Sequence, residues 1–122
     1  MPVDLSSAEL QRFKEGDTGR PLVLVQLLRF NEGGRERYLQ YSVTAQEILL
    51  RLGAQVLYAG ECVEPLLAGE GQDWDAVVIV RYSSRASYVE MLAGAEHQAI
   101  ASLRTSALRD AVILPMDDWP AR

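Results

Sequence analysis

Between positions 74 and 82 the apolar residues fall on both parities, with Ala76, Val78, Val80 and Tyr82 on one side and Val77 and Ile79 on the other. Successive strand side chains point to opposite faces, so this pattern predicts a strand covered on both sides and central in its sheet. Residues 22–30 repeat it: Leu22, Leu24, Gln26, Leu28 and Phe30 alternate with Val23, Val25, Leu27 and Arg29. Each run is followed by a turn signal and a helical pattern, a strand–helix unit used twice.

The remaining elements follow from spacing and punctuation. Ser6 and Glu9 have the form of a capping box, flanked by Leu5 and Leu10 as a hydrophobic staple, and predict a short helix that runs to Glu15 and stops at Gly16. After the turn 31–34, Tyr38, Tyr41, Ala45, Ile48, Leu49 and Leu52 form one apolar helical stripe, closed by Gly53 in a left-handed conformation. Residues 55–67 read as an edge strand, bulged or broken, because Gly60 weakens the ladder and Pro65 lacks a donor. A loop at 69–73 leads to the central strand. Ser83-Ser84 offers the cap of a helix carrying Tyr88, Val89 and Leu92 inward, and Gly94 separates it from another whose inner side holds Ile100, Leu103, Ala107 and Ala111. Residues 111–114 form a short last strand ended by Pro115, and 117–122 a polar tail.

The order strand, helix, strand, strand, helix, strand after an opening helix is that of an α+β, ferredoxin-like βαββαβ sandwich. All 122 residues belong to one such domain, with 1–20 as an N-terminal helical extension. Strands 1 and 3 are expected side by side and parallel in the middle, with the helices on one face. Both central strands also carry apolar side chains on the other face, which two main helices cannot reach. A second copy packed sheet to sheet covers it economically, so a homodimer is expected; a standard interface buries about 800 Å² per partner. The competing arrangement is a monomer whose first helix folds over that face.

Composition narrows the function. Hydrophobic residues make up 48% of the chain and charged ones 24%, as in ordinary globular domains. A net charge of -5 without a basic stripe argues against nucleic acid and anionic membranes as partners. No apolar run approaches the roughly 20 residues that cross a bilayer, and the N-terminus lacks a signal-peptide pattern, so a cytoplasmic location is expected. The lone Cys62 fits a reducing compartment.

Several stretches resemble the small bacterial proteins of domain-of-unknown-function family 1330, in the dimeric α+β barrel superfamily. They are Leu28-Arg29-Phe30, Tyr38 and Tyr41, Gly53 with the segment 56–60, Trp74-Asp75, Ser84-Arg85, and the segment 96–100 leading to Arg104. The resemblance implies a dimeric α+β barrel and no established reaction. Neighbouring families include cofactor-independent monooxygenases and haem-degrading enzymes, which supply an analogy only. The chain departs from a common family pattern at His97, where a tyrosine often stands, and at Arg81, where an acidic residue often stands.

The candidate chemistry centres on a small-molecule pocket between helices and sheet. Arg29 and Arg81 each precede the aromatic residue that ends a central strand; in parallel strands they share one end, near Tyr58, and can clamp a carboxylate. Each arginine can instead pair with a local acid such as Glu61 or Glu64. His97, the only histidine, lies with Arg104 at the margin of its helical stripe and is the candidate general base, or a boundary side chain satisfied locally. Tyr41 is among the tyrosines that can line a ligand cavity or simply fill the core. The expected ligand is a small organic acid or oxygenated aromatic, handled by acid–base or oxygen chemistry or merely bound; the alternative is a structural dimer with a filled core. One histidine and one cysteine do not make a zinc site, Gly69-Glu70-Gly71 lacks the dinucleotide pattern, and no cofactor or metal is implied.

Overall fold

The structure, a computed structural model, describes residues 3–120. Of the polar tail, Ala121 and Arg122 lie outside the described residues, as do Met1 and Pro2 at the other end. The elements are α1 (Ser7–Glu15), β1 (Leu22–Phe30), α2 (Gly34–Arg51), β2 (Gln55–Glu61), β3 (Ala76–Tyr82), α3 (Arg85–Ala93), α4 (Ala95–Ala107) and β4 (Leu108–Met116). This is the expected α+β arrangement, a four-stranded sheet in the order β2-β3-β1-β4 with helices on one side.

One expectation is corrected. β1 and β3 are adjacent but antiparallel, with Leu22 opposite Tyr82 and Leu28 opposite Ala76. The connection explains it: α2 returns the chain so that β2 runs parallel to β1, and β3 then hairpins back between them, opposed to both. Arg29 and Arg81 therefore lie at opposite ends of the sheet, with Arg29 opposite Asp110 and Arg81 opposite Val23.

Local chemistry explains the element ends. Ser6 and Glu9 complete the capping box of α1, each side chain accepting the other residue's amide. Gly53 adopts a φ of 75° after α2, as its position predicted. β2 carries a bulge between Val56 and Tyr58 and leaves the ladder after Glu61, six residues before the expected end; Cys62 N–H still donates to Asp75 O at 2.8 Å. β4 is longer than expected and includes Pro115, which an edge strand tolerates because a missing donor there costs no interior partner.

The helix side of the sheet presents Leu22, Leu24, Leu28, Ala76, Val80 and Tyr82, all buried. α1 sits on this same side, beside α3, with Phe13 edge-on to Tyr88 at 6.1 Å between ring centres. It therefore does not roof the opposite face. There Val23, Val25, Leu27, Val77, Ile79 and Val112 lie in register across β1, β3 and β4, half-buried by their neighbours.

Gly34 opens α2 hard against the end of α4: a Cβ at this position would lie 2.1 Å from Ala107 O. Asn31 fastens the same junction. Its amide N–H donates to Ala107 O at 2.9 Å, and its side-chain amide donates to Ser106 O and Leu108 O, each at 3.1 Å.

Candidate functional site

Two cavities flank a wall built from α2 and β1. The first, about 310 Å³, lies between α2 and the β2–β3 side of the sheet, lined by Phe30, Tyr38, Tyr41, Leu49, Val78 and Tyr82 among others. At its rim Arg35 donates to Glu61 through Nε at 2.7 Å, a bond that holds the Glu61 carboxyl below the usual carboxylate range. The second, about 420 Å³, lies between α1, α4 and the β4 side of the sheet. Tyr41, Gln26, Tyr82 and Met91 face both.

Three of the sequence-predicted site residues come together at this wall. The helical period places Tyr41 on the inner stripe of α2, and positions 97 and 104, seven apart, on one side of α4. The Tyr41 hydroxyl and His97 Nε2 are 2.8 Å apart. His97 Nδ1 is buried and has no hydrogen-bond partner among the described residues. Arg104 Nη1 donates to Val3 O at 2.6 Å and to Asp4 Oδ1 at 2.9 Å, and Nη2 donates to Gln26 Oε1 at 3.2 Å. His97 and Arg104, expected at the margin of α4, are both interior.

The surroundings fix the charge states. Burial, aided by the Arg104 charge and only partly opposed by Asp4, holds the His97 pKa below its ordinary value, so the imidazole is neutral at pH 7. Burial likewise pushes the Tyr41 hydroxyl far above the usual phenol range and Tyr88 up to about 12. The wall therefore pairs a neutral phenol with a neutral imidazole. Such a pair can pass a proton, or present a donor and an acceptor to a ligand.

The other three candidates lie elsewhere. Arg29 donates to Asp110 Oδ2 at 3.0 Å and to the Asp73 carbonyl, and its guanidinium lies 4.5 Å over the Trp74 ring, clamping the β2–β3 loop. Its partners are local acids, though not Glu61 or Glu64. Arg81 is exposed at the far end of β3, opposite Gln55 and Val23. Tyr58 is exposed on β2, its ring lying against Gly60, where a Cβ would meet the hydroxyl at 2.5 Å.

Sequence reasoning passed over Gln26, Asp4 and Thr105. The first had a signal: it is the one polar residue on the inner face of β1, where Leu22, Leu24 and Leu28 are buried. Asp4 and Thr105 had none, because their meeting depends on where the segment before α1 crosses α4.

Residues 13–116 match the family described as Domain of unknown function (DUF1330). No curated protein matches the chain. A protein of unknown function from Rhodopseudomonas palustris is 23% identical in sequence and superposes with a TM-score of 0.86, covering 98% of each chain. A dimeric ferredoxin-like protein of unknown function from Thermobifida fusca is 14% identical, with a TM-score of 0.56 over 81% of this chain and 92% of its own. A hydroxynitrile lyase from Passiflora edulis is 10% identical, with a TM-score of 0.64 over 84% of this chain and 99% of its own. These likenesses show the ferredoxin-like fold.

Proposed function

The chain belongs to the DUF1330 family, and from that premise we propose a homodimer in which each subunit binds a small oxygenated aromatic molecule in the cavity between α2 and the sheet. The observation that carries the reading is the cavity itself. Protein interiors are packed as densely as organic crystals, and a volume of about 310 Å³ left open beside buried tyrosines falls in the range of ligand pockets. A purely structural core would close it.

Tyr41 is the polar anchor of this reading. Its hydroxyl meets a ligand oxygen on one side and His97 Nε2 on the other. A proton leaving the ligand passes to the Tyr41 oxygen as the Tyr41 proton moves to His97, so the bond broken at the ligand is balanced by the one formed at the imidazole. Asp4 favours the resulting imidazolium, while burial and Arg104 oppose it. The site therefore suits ligands more acidic than an alcohol, such as phenols and enols.

The dimer pairs the two open sheet faces. Apolar Val25, Leu27, Val77, Ile79 and Val112 on that face support it, as do similar structures described as dimeric. The single cysteine, exposed and free, fits a reducing cytoplasm.

Native mass spectrometry of freshly purified protein tests the pocket. The expected spectrum shows a co-purifying small molecule that is lost in Ala45→Trp, a substitution that fills the cavity. A wild-type chain that carries no adduct and binds neither phenol nor catechol saturably would sink the reading.

A further inference from the structure

The second cavity has walls of two kinds. Leu5, Tyr88 and Ile113 are apolar; His97, Arg104 and Thr105 are polar. A guanidinium taken out of water needs a counter-charge, and Arg104 finds one in a carboxylate far less shielded than itself. The Arg104 side chain is 9% exposed and that of Asp4 is 50% exposed. Both Asp4 oxygens are engaged, Oδ1 by Arg104 at 2.9 Å and Oδ2 by the Thr105 hydroxyl at 2.7 Å. A carboxylate thus already fits between these groups, carried on the chain that precedes the cap of α1.

The second observation comes from His97. This residue is 5% exposed, it lines the same cavity, and its Nδ1 has no partner among the described residues. Buried polar atoms are almost always satisfied, so an unpartnered nitrogen on a residue that lines the cavity marks a group that something from outside completes.

We infer that this cavity binds a small monocarboxylic acid with an apolar body, and that Asp4 occupies the carboxylate position until such a ligand displaces it. The incoming carboxylate takes Arg104 and Thr105. Its apolar body lies against Leu5, Tyr88 and Ile113, and a hydroxyl or carbonyl on it meets His97 Nδ1. The inference makes no use of the α2–sheet cavity and stands or falls apart from it.

Benzoate and its neutral isostere benzamide, titrated calorimetrically into the full chain and its variants, test the site. Asp4→Asn removes the charge of the internal competitor and is expected to bind benzoate about tenfold more tightly than wild type, with benzamide unchanged. Arg104→Gln is expected to lose benzoate binding. Arg104→Lys keeps the charge without the planar fork; it serves if Arg104→Gln does not fold, and is expected to bind benzoate about tenfold more weakly than wild type. Equal affinities for benzoate and benzamide, an unchanged benzoate affinity in Asp4→Asn, undiminished binding in the Arg104 variants, or no benzoate binding by any variant would overturn the inference.

Discussion

Gly34 illustrates how little room the fold leaves at its tightest point. A methyl group there would lie 2.1 Å from the Ala107 carbonyl oxygen, a backbone atom that cannot swing aside. Gly34→Ala is therefore expected to cost on the order of 3 kcal/mol, read as a lowered urea midpoint at unchanged slope. His97 makes a prediction of a different kind. Its folded-state pKa is lowered, so the unfolded chain binds the proton more readily than the folded one. Its contribution to stability is complete above the unfolded value of about 6.5 and is lost as pH falls through the folded one. Titrating unfolding between pH 7.5 and pH 5 is expected to show wild-type stability falling on the acid side, with a shallower fall in His97→Gln. Equal slopes would mean that the imidazole is not held neutral. Neither its interior position nor the bond to Tyr41 was legible in the sequence, because a histidine at the edge of a helical stripe turns inward or outward according to its neighbours.

At the scale of elements, punctuation was legible and direction was not. Ser6, Gly53, Ser84 and Gly94 mark helix ends because caps and left-handed turns impose local chemistry that no tertiary contact is needed to read. Strand alternation gave the central places of β1 and β3 for a similar reason. Alternation reads the same in both directions along a chain, so it could not say that the two run opposite ways, and the shared arginine clamp expected of parallel strands went with that error. Asn31 shows the opposite case, a turn residue that sequence reading found and whose wider task it missed. Its side chain holds the α4–β4 junction through Ser106 and Leu108, so Asn31→Ala is expected to cost about 1–3 kcal/mol. Hydrogen exchange should report the loss first at the start of β4, where Leu108 leaves the helix.

At the scale of the whole molecule, the described residues cover one sheet face and leave the other open. The helices, α1 included, all lie on the first. Residues such as Ile79 and Val25, paired across β3 and β1, lie on the second, which the proposed dimer would cover with a second copy. Ile79→Lys puts a charge at the middle of that surface without touching the helix side, and is expected to shift the protein from dimer to a 13.5 kDa species in sedimentation at micromolar concentration. Retained secondary structure in the variant would show that assembly alone was lost. The apolar character of that face was legible from two strands with apolar residues on both parities, because a surplus of apolar surface is a property of the count and not of the path.

The stretch matching the family begins at position 13, yet Asp4, Leu5 and Leu10, which help enclose the Arg104 cavity, come before it. The α2–sheet cavity takes every one of its lining residues from inside the match. The two chambers are thus separable by inheritance: a relative with a different leader would keep the tyrosine-lined chamber and present Arg104 in an open trough. Differences in what such relatives recognise would then trace to the residues before position 13, none of which, among those described, lines the shared pocket.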